Sequence, residues 1–274
     1  MVFKKHPVFK KPENENAKIW RYMDFTKFVS MLDTKSLYFT RIDLLEDKFE
    51  GSVPKSFYSS MSSEKIEMLK AFYPKSYKSR IKKSEKTALK KSKKNLEINL
   101  ARRKWTFVNC WHVNEDESAA MWKLYLKSNE GVAIQTTYKG LCASFDMCDD
   151  RVWIGLVKYI DYNKDKIPMS NSKYRFVYKR KSFEYERELR AVVRRYPISE
   201  KELKRGISVE RLAKVDVFPE GLEISVDLDT LIQKVHVSPY AEKWFEKLVK
   251  SVAEKYELAK EDVKKSPLAA KPIY

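Results

Sequence analysis

The sequence predicts a single α+β domain, built on one mixed, largely antiparallel sheet and carrying a basic helical insertion. Three observations lead there. Short stretches rich in β-branched and aromatic residues recur along the chain, and LEISVDL at 222–228 alternates with the period of two that marks a half-buried strand. Helical patterns are interspersed among these stretches, without an internal repeat or a linker able to divide the chain. The 274 residues, 43% hydrophobic and 13% aromatic, suffice for one substantial core.

Residues 1–17 contain lysines but no 7–15-residue apolar stretch of the kind a secretory signal needs, so they read as a short, loosely held arm on a cytoplasmic protein. The domain then runs over 18–274. Lys18–Met23 is rich in strand formers, Asp24 is placed to cap a helix reaching about Leu32, and Ser36–Thr40 is a second short strand. Residues 57–104 form a polar, lysine-rich insertion. Within it Ile81, Leu89, Leu96 and Leu100 fall at helical spacing, as an amphipathic helix with a narrow apolar stripe requires. WTFVNCWHV at 105–113 is a buried strand, and the acidic turn NEDES leads into the short helix AAMWKLYL. GVAIQTT at 131–137 and RVWIGLVKYIDY at 151–162 read as strands, the latter throughout its length, and ELRAVV at 188–193 as a central one. In LEISVDL, Leu222, Ile224, Val226 and Leu228 point inward. KVHVS follows, with His236 as a structural histidine. Ser238 and Pro239 then start a last helix to about Tyr256, with Trp244, Leu248 and Val252 on one face.

No apolar run reaches the 18–20 residues that cross a bilayer. Cys110, Cys142 and Cys148 lack paired metal-site spacing and read as reduced core residues, so no metal is expected. The net charge of +18 points to a polyanionic partner, and its location is specific. From Lys75 to Lys104 there are thirteen Lys or Arg against Glu85 and Glu97, which leaves +11 in that segment alone. Lys82, Lys83, Lys86, Lys90, Lys91, Lys93, Lys94, Arg102 and Arg103 are therefore the candidate contacts to nucleic acid.

The stretch KSFEYERELRAVV at 181–193 sets three carboxylates, Glu184, Glu186 and Glu188, at alternate positions before an apolar run. In a continuous strand all three share one side, where they need water, cations or a use. Together with WRYMD at 20–24, SLYFTRIDLLEDKFEG at 36–51, CWHVNEDESAAMWKLY at 110–125, GVAIQTT at 131–137 and VKYIDY at 157–162, it resembles the microbial family called domain of unknown function 2971. That family's turn after the second strand usually reads Asn-Asp-Pro-Phe-Glu; here it is Glu46-Asp47-Lys48-Phe49-Glu50, so this turn must be held another way.

A second, looser similarity is to ADP-ribosyltransferases, whose split-sheet core carries a basic or polar residue on a first strand, a hydroxyl or aromatic on a second, and Glu-x-Glu before a later one. Arg21, then Tyr38 and Thr40, then Glu186-Arg187-Glu188 fall in that order. The resemblance implies NAD as substrate, and taken with the basic segment it points to an enzyme acting on or near nucleic acid, of the defence or toxin-effector type. Glu188 would bond the ribose 2′-hydroxyl beside a developing oxocarbenium charge, and Glu186 would act as base toward the acceptor. Arg21 would hold the pyrophosphate, and Tyr22, Tyr38 or Trp111 would stack on nicotinamide. Two alternatives stay open. One is a metal-dependent nuclease using Asp43, Asp47 and Glu50 with the later glutamates, the other a non-catalytic nucleic-acid-binding module.

Overall fold

The computed structural model describes residues 6–54, 90, 94, 97–168, 170–196, 218–259, 262–270 and 272. The expected strands open the fold: β1 is Lys18–Asp24 and β2 is Ser36–Arg41, joined by helix α1, Phe25–Thr34. β3 follows at Thr106–Val113, then α2 at Ala119–Tyr125, β4 at Gly131–Thr137 and α3 at Tyr138–Ala143. Trp153–Leu156 is β5, Lys158–Ile160 β6, Tyr178–Arg180 β7, Glu188–Arg194 β8 and Gly221–Ser225 β9. The chain closes with α4, Leu228–Leu231; β10, Lys234–Val237; α5, Lys243–Lys255; and β11, Val263–Lys265.

Nine strands form one sheet, in the path β11-β10-β4-β1-β3-β2-β9, with β8 pairing β3 and β5 pairing β8. All its pairings are antiparallel except β10 with β11, so the α+β, mixed and mostly antiparallel architecture is the one expected. β6 and β7 form a separate parallel pair. Among the described residues no helix is long and apolar enough to cross a membrane.

The junction at β3 positions the site. One edge of β3 pairs with β8 from Thr106 to His112. The other edge is shared: β1 meets it only at Val113 and His112, β2 only at Val108 and Phe107. Between these contacts β1 and β2 diverge, because each is drawn outward by a longer ladder, β1 by seven pairs with β4 and β2 by five with β9. The sheet is therefore split along the middle of β3. Backbone groups in a gap still need partners, and side chains supply them: Arg21 Nη1 donates to Cys110 O (2.6 Å), and Asn109 Nδ2 donates to Tyr38 O (2.9 Å).

Alternation along β3 and β8 feeds two cores. Phe107, Trp111, Leu189 and Ala191 point to the face covered by α1, α3 and α5, while Val108 and Val192 join Val8, Phe9, Trp153 and Phe176 on the other. Burial on both faces is why these strands read as near-continuous apolar runs.

Five expectations are corrected. The described part of the N-terminal arm is not loose: Phe9 stacks on Trp153 at 6.0 Å, and Leu156 N donates to Lys10 O (2.8 Å). The stretch 151–162 is two strands in different sheets, broken at Val157, whose N–H donates to Glu188 O (2.9 Å). The last helix starts at Lys243 and buries Phe245, Val249 and Ala253, one position round from the expected stripe; Phe245 packs edge-on against Phe25 at 5.2 Å, and Trp244 stays exposed. Leu100 is exposed, and Asn99 and Ala101 turn inward in its place; Ile81, Leu89 and Leu96 lie outside the described residues. The fifth concerns residues 181–187: Lys181–Glu186 is a 3₁₀ helix and Arg187 is left-handed at φ 41°, so the strand begins only at Glu188.

The arm's seat gives a direct test. A Cβ added at Gly155 would lie 2.7 Å from Phe9 Cα, a backbone atom that cannot step aside alone. Gly155→Val is expected to lower unfolding free energy by about 1–3 kcal/mol, as overpacking does, measured by chemical denaturation.

Candidate functional site

The 3₁₀ turn and the left-handed Arg187 separate the three glutamates. Glu184 faces solvent, while Glu186 and Glu188 are buried. Lys179, the middle residue of β7, lies between them, its Nζ 2.6 Å from Glu186 Oε2 and 3.3 Å from Glu188 Oε2. It also reaches Glu50 Oε1 at 3.3 Å. Arg190, fully enclosed, donates through Nε and Nη2 to both oxygens of Glu188 (2.5 and 2.9 Å) and through Nη1 and Nη2 to both oxygens of Glu50 (2.9 and 3.1 Å). Three buried carboxyl groups thus face two buried cations. Glu188 is tied further by Tyr159, whose hydroxyl accepts its backbone N–H at 2.8 Å.

The turn carrying Glu50, Glu46 to Glu50, contains neither Asn nor Pro and is held by side chains. Asp47 Oδ1 accepts from Phe49 N (3.0 Å), and Arg180 Nη2 lies 2.7 Å from the same carboxylate while its guanidinium sits 4.6 Å from the Phe49 ring. Gly51 at φ 70° then turns the chain away.

These neighbours set the ionisation. Burial opposes the charge of Glu188, but Arg190 and Lys179 outweigh it and hold the carboxyl at about 2. For Glu186 burial prevails over Lys179, and the carboxyl is raised above 4.5. Burial also works against Lys179, yet Glu188, Glu50 and Glu186 keep it firmly protonated. The Cys110 thiol is pushed up by burial and by the nearby charge of Glu188. Two carboxyls two residues apart are therefore pushed in opposite directions, Glu188 toward the charged form and Glu186 toward the protonated one.

Glu50, Lys179, Glu186 and Glu188 border a cavity of about 350 Å³, walled also by Arg21, Tyr22, Thr40, Trp111, Tyr125 and Phe183. Arg21 projects into the gap between β1 and β2. Among the described residues it has no carboxylate partner, and burial lowers its proton affinity. A second cavity of about 500 Å³ shares Arg21, Met23, Lys27 and Thr40 with the first and holds Tyr38.

Of the residues singled out for NAD, then, Glu186, Glu188, Arg21, Tyr22, Thr40 and Trp111 border one cavity, and Tyr38 borders only the other. Two aromatic residues have structural work that leaves no open ring face for stacking. The Trp111 indole is 2% exposed and donates to Asn109 Oδ1 (2.7 Å), completing the tie across the gap to Tyr38 O. Tyr22 is packed edge-on to Trp122 at 5.0 Å, and its hydroxyl accepts Ser118 N (2.8 Å), anchoring the start of α2.

The carboxylates proposed for a metal hold cations instead: Asp43 pairs with Arg41 at 2.7 Å, Asp47 with Arg180, Glu50 with Arg190. Among the described residues no group of His, Cys, Asp and Glu is arranged to hold a metal ion. In the basic segment, Lys82, Lys83, Lys86, Lys91 and Lys93 lie outside the described residues, and Lys90 and Lys94 are helical and exposed. Arg103 turns toward the body, donating to Lys48 O (3.1 Å), and anchors the helical stretch 97–104, while Arg102 donates to Asn99 Oδ1 (3.3 Å) within that stretch.

Pattern reading assigns no site role to Lys179, Arg190 or Cys110. One signal does point to Arg190: an arginine inside the apolar strand ELRAVV is placed for burial, and a buried guanidinium needs carboxylates. Comparison with family models, with curated proteins and with solved structures finds no match to this chain.

Proposed function

We propose that the chain is an NAD-dependent glycosyl-transfer enzyme of ADP-ribosyltransferase type, acting on or near nucleic acid. The observation that carries this reading is one cavity bordered by a cluster of carboxyl groups and by a half-buried arginine that has no acidic partner among the described residues. The first suits a group that becomes cationic; the second suits a phosphate.

In the reaction the bond between ribose C1′ and the nicotinamide nitrogen breaks, and the electron pair leaves with nicotinamide. Positive charge develops on the ribose, and Glu188, fixed by Arg190 and Lys179, opposes it without reorganising. The acceptor's nucleophile bonds to C1′ and its proton passes to Glu186, whose raised affinity suits a general base. Arg21 retains the pyrophosphate. The lysine-rich segment, with its +11 charge, supplies the grip on nucleic acid. A metal-dependent nuclease is not proposed, because Asp43, Asp47 and Glu50 already hold cations.

Incubation of the full chain with NAD and pooled RNA, DNA and protein tests the reading: nicotinamide is expected to be released, and its absence with every acceptor contradicts it. The rate should depend on pH in a stated sense. A base must be unprotonated, so kcat/KM is expected to climb as pH rises through the Glu186 value, which lies above 4.5. In Glu186→Gln that limb is expected to vanish, with a rate about 100-fold lower or less.

A further inference from the structure

The second cavity has no part in the bond breaking just described, yet its walls are not those of an ordinary packing defect. α1 brings Thr26, Ser30 and Thr34 to it at i, i+4 spacing, one hydroxylated helix face. From β2 come Ser36, whose hydroxyl lies 2.7 Å from that of Thr34, and Tyr38. Glu223 of β9, in register opposite Tyr38, adds a carboxylate with no cationic partner among the described residues. Tyr38 is 49% exposed, large for an aromatic on a strand paired along this length. Its ring lies across Gly221, where a Cβ would come within 2.1 Å of Tyr38 Cζ. The glycine thus leaves room for an aromatic platform at the cavity wall.

We infer that this cavity seats a nucleoside, its base on Tyr38 and its sugar hydroxyls toward α1 and Glu223, with the attached phosphate on Arg21. The ligand class follows from the lining: a planar ring face for stacking, hydroxyls and a carboxylate for a sugar, and at the end shared with the first cavity a half-buried cation with no acidic partner among the described residues. A ligand centred on Arg21 extends one arm into each cavity, and only the arm among the glutamates is cut. The inference rests on the reading that the cleft takes a nucleotide, and it assigns the uncut half of that nucleotide to a place the sequence pattern does not reveal.

Calorimetric titration of the full chain with ADP, adenosine and nicotinamide mononucleotide separates the arms. ADP is expected to bind, and more tightly than adenosine, which cannot reach Arg21 with a phosphate. Tyr38→Ala is expected to weaken ADP at least about tenfold, the loss of one stacked base, while changing nicotinamide mononucleotide by less than about twofold. Gly221→Val keeps the tyrosine but displaces its ring, on a strand where valine is well tolerated, and is expected to weaken ADP in the same direction. Melting curves establish that both variants are folded. ADP that fails to bind, or that binds Tyr38→Ala as tightly as the unaltered chain, overturns the inference. Tyr38-dependent ADP binding without any nicotinamide release supports it and ends the glycosyl-transfer reading instead. Nicotinamide release with a KM for NAD unmoved by Tyr38→Ala does the reverse.

Discussion

Arg190→Met is expected to cost about 3–5 kcal/mol of folding stability at neutral pH, the largest effect of any single substitution considered. The side chain is fully enclosed, so methionine fills much of its volume, and the loss comes from charge. Arg190 makes two contacts to each of Glu50 and Glu188, and its removal leaves three buried carboxylates with Lys179 as their one buried counter-ion. Against a total stability of about 5–15 kcal/mol, this is a large share.

Acid should distinguish lost charge from lost packing. Glu188 is held at about 2 when folded and returns to about 4.5 when unfolded, so its contribution is complete above 4.5 and is lost as pH falls toward 2. The gap between Arg190→Met and the unaltered chain is therefore expected to narrow between roughly pH 4.5 and 3. Denaturation midpoints across that range check it; a gap that does not change with pH assigns the arginine to packing alone.

Glu188→Gln is expected to lower nicotinamide release by about 100-fold or more, the effect of removing one preorganised group worth about 3–4 kcal/mol at the transition state. Sequence reasoning alone expects this variant to leave the fold untouched, and the structure modifies that. Glu188 is a counter-ion of Arg190 and Lys179, so the amide also sacrifices part of a buried ion pair. Stability and rate must be measured together. Glu188→Asp is the companion variant: it keeps the negative charge but withdraws it by one methylene, so it should be more stable than the glutamine variant and still slow.

The fold is largely legible in the sequence because local pattern and burial agree over most of it. β1, β2, β3, β4 and β8 each carry apolar residues on at least one face, and the pairing partners enforce what the pattern suggests. Pattern fails where two solutions have the same period. In α5, Trp244, Leu248 and Val252 compete with Phe245, Val249 and Ala253, and the choice belongs to Phe25, which is distant in sequence. It fails again at 181–187, where alternation of glutamates looks like a strand but Arg187 at φ 41° breaks the extended chain.

At the site, Glu186 and Glu188 stand out by charge in a basic chain, and Arg21 by its place in a strand. Their bringing together depends on the split of the sheet at β3, which no local stretch encodes: it arises because β1 and β2 each find a longer partner elsewhere. Lys179 and Glu50 complete the cluster from a short edge strand and a turn 129 residues apart in sequence.

The most direct measurement is release of free nicotinamide from NAD by the purified chain beside Glu188→Gln, at a pH where both are folded. Release that requires the glutamate, with the variant at about one-hundredth of the rate or below, is the expected result. Release by the variant at the unaltered rate, or none from either protein with any acceptor, contradicts the role given to the carboxylates in this cleft.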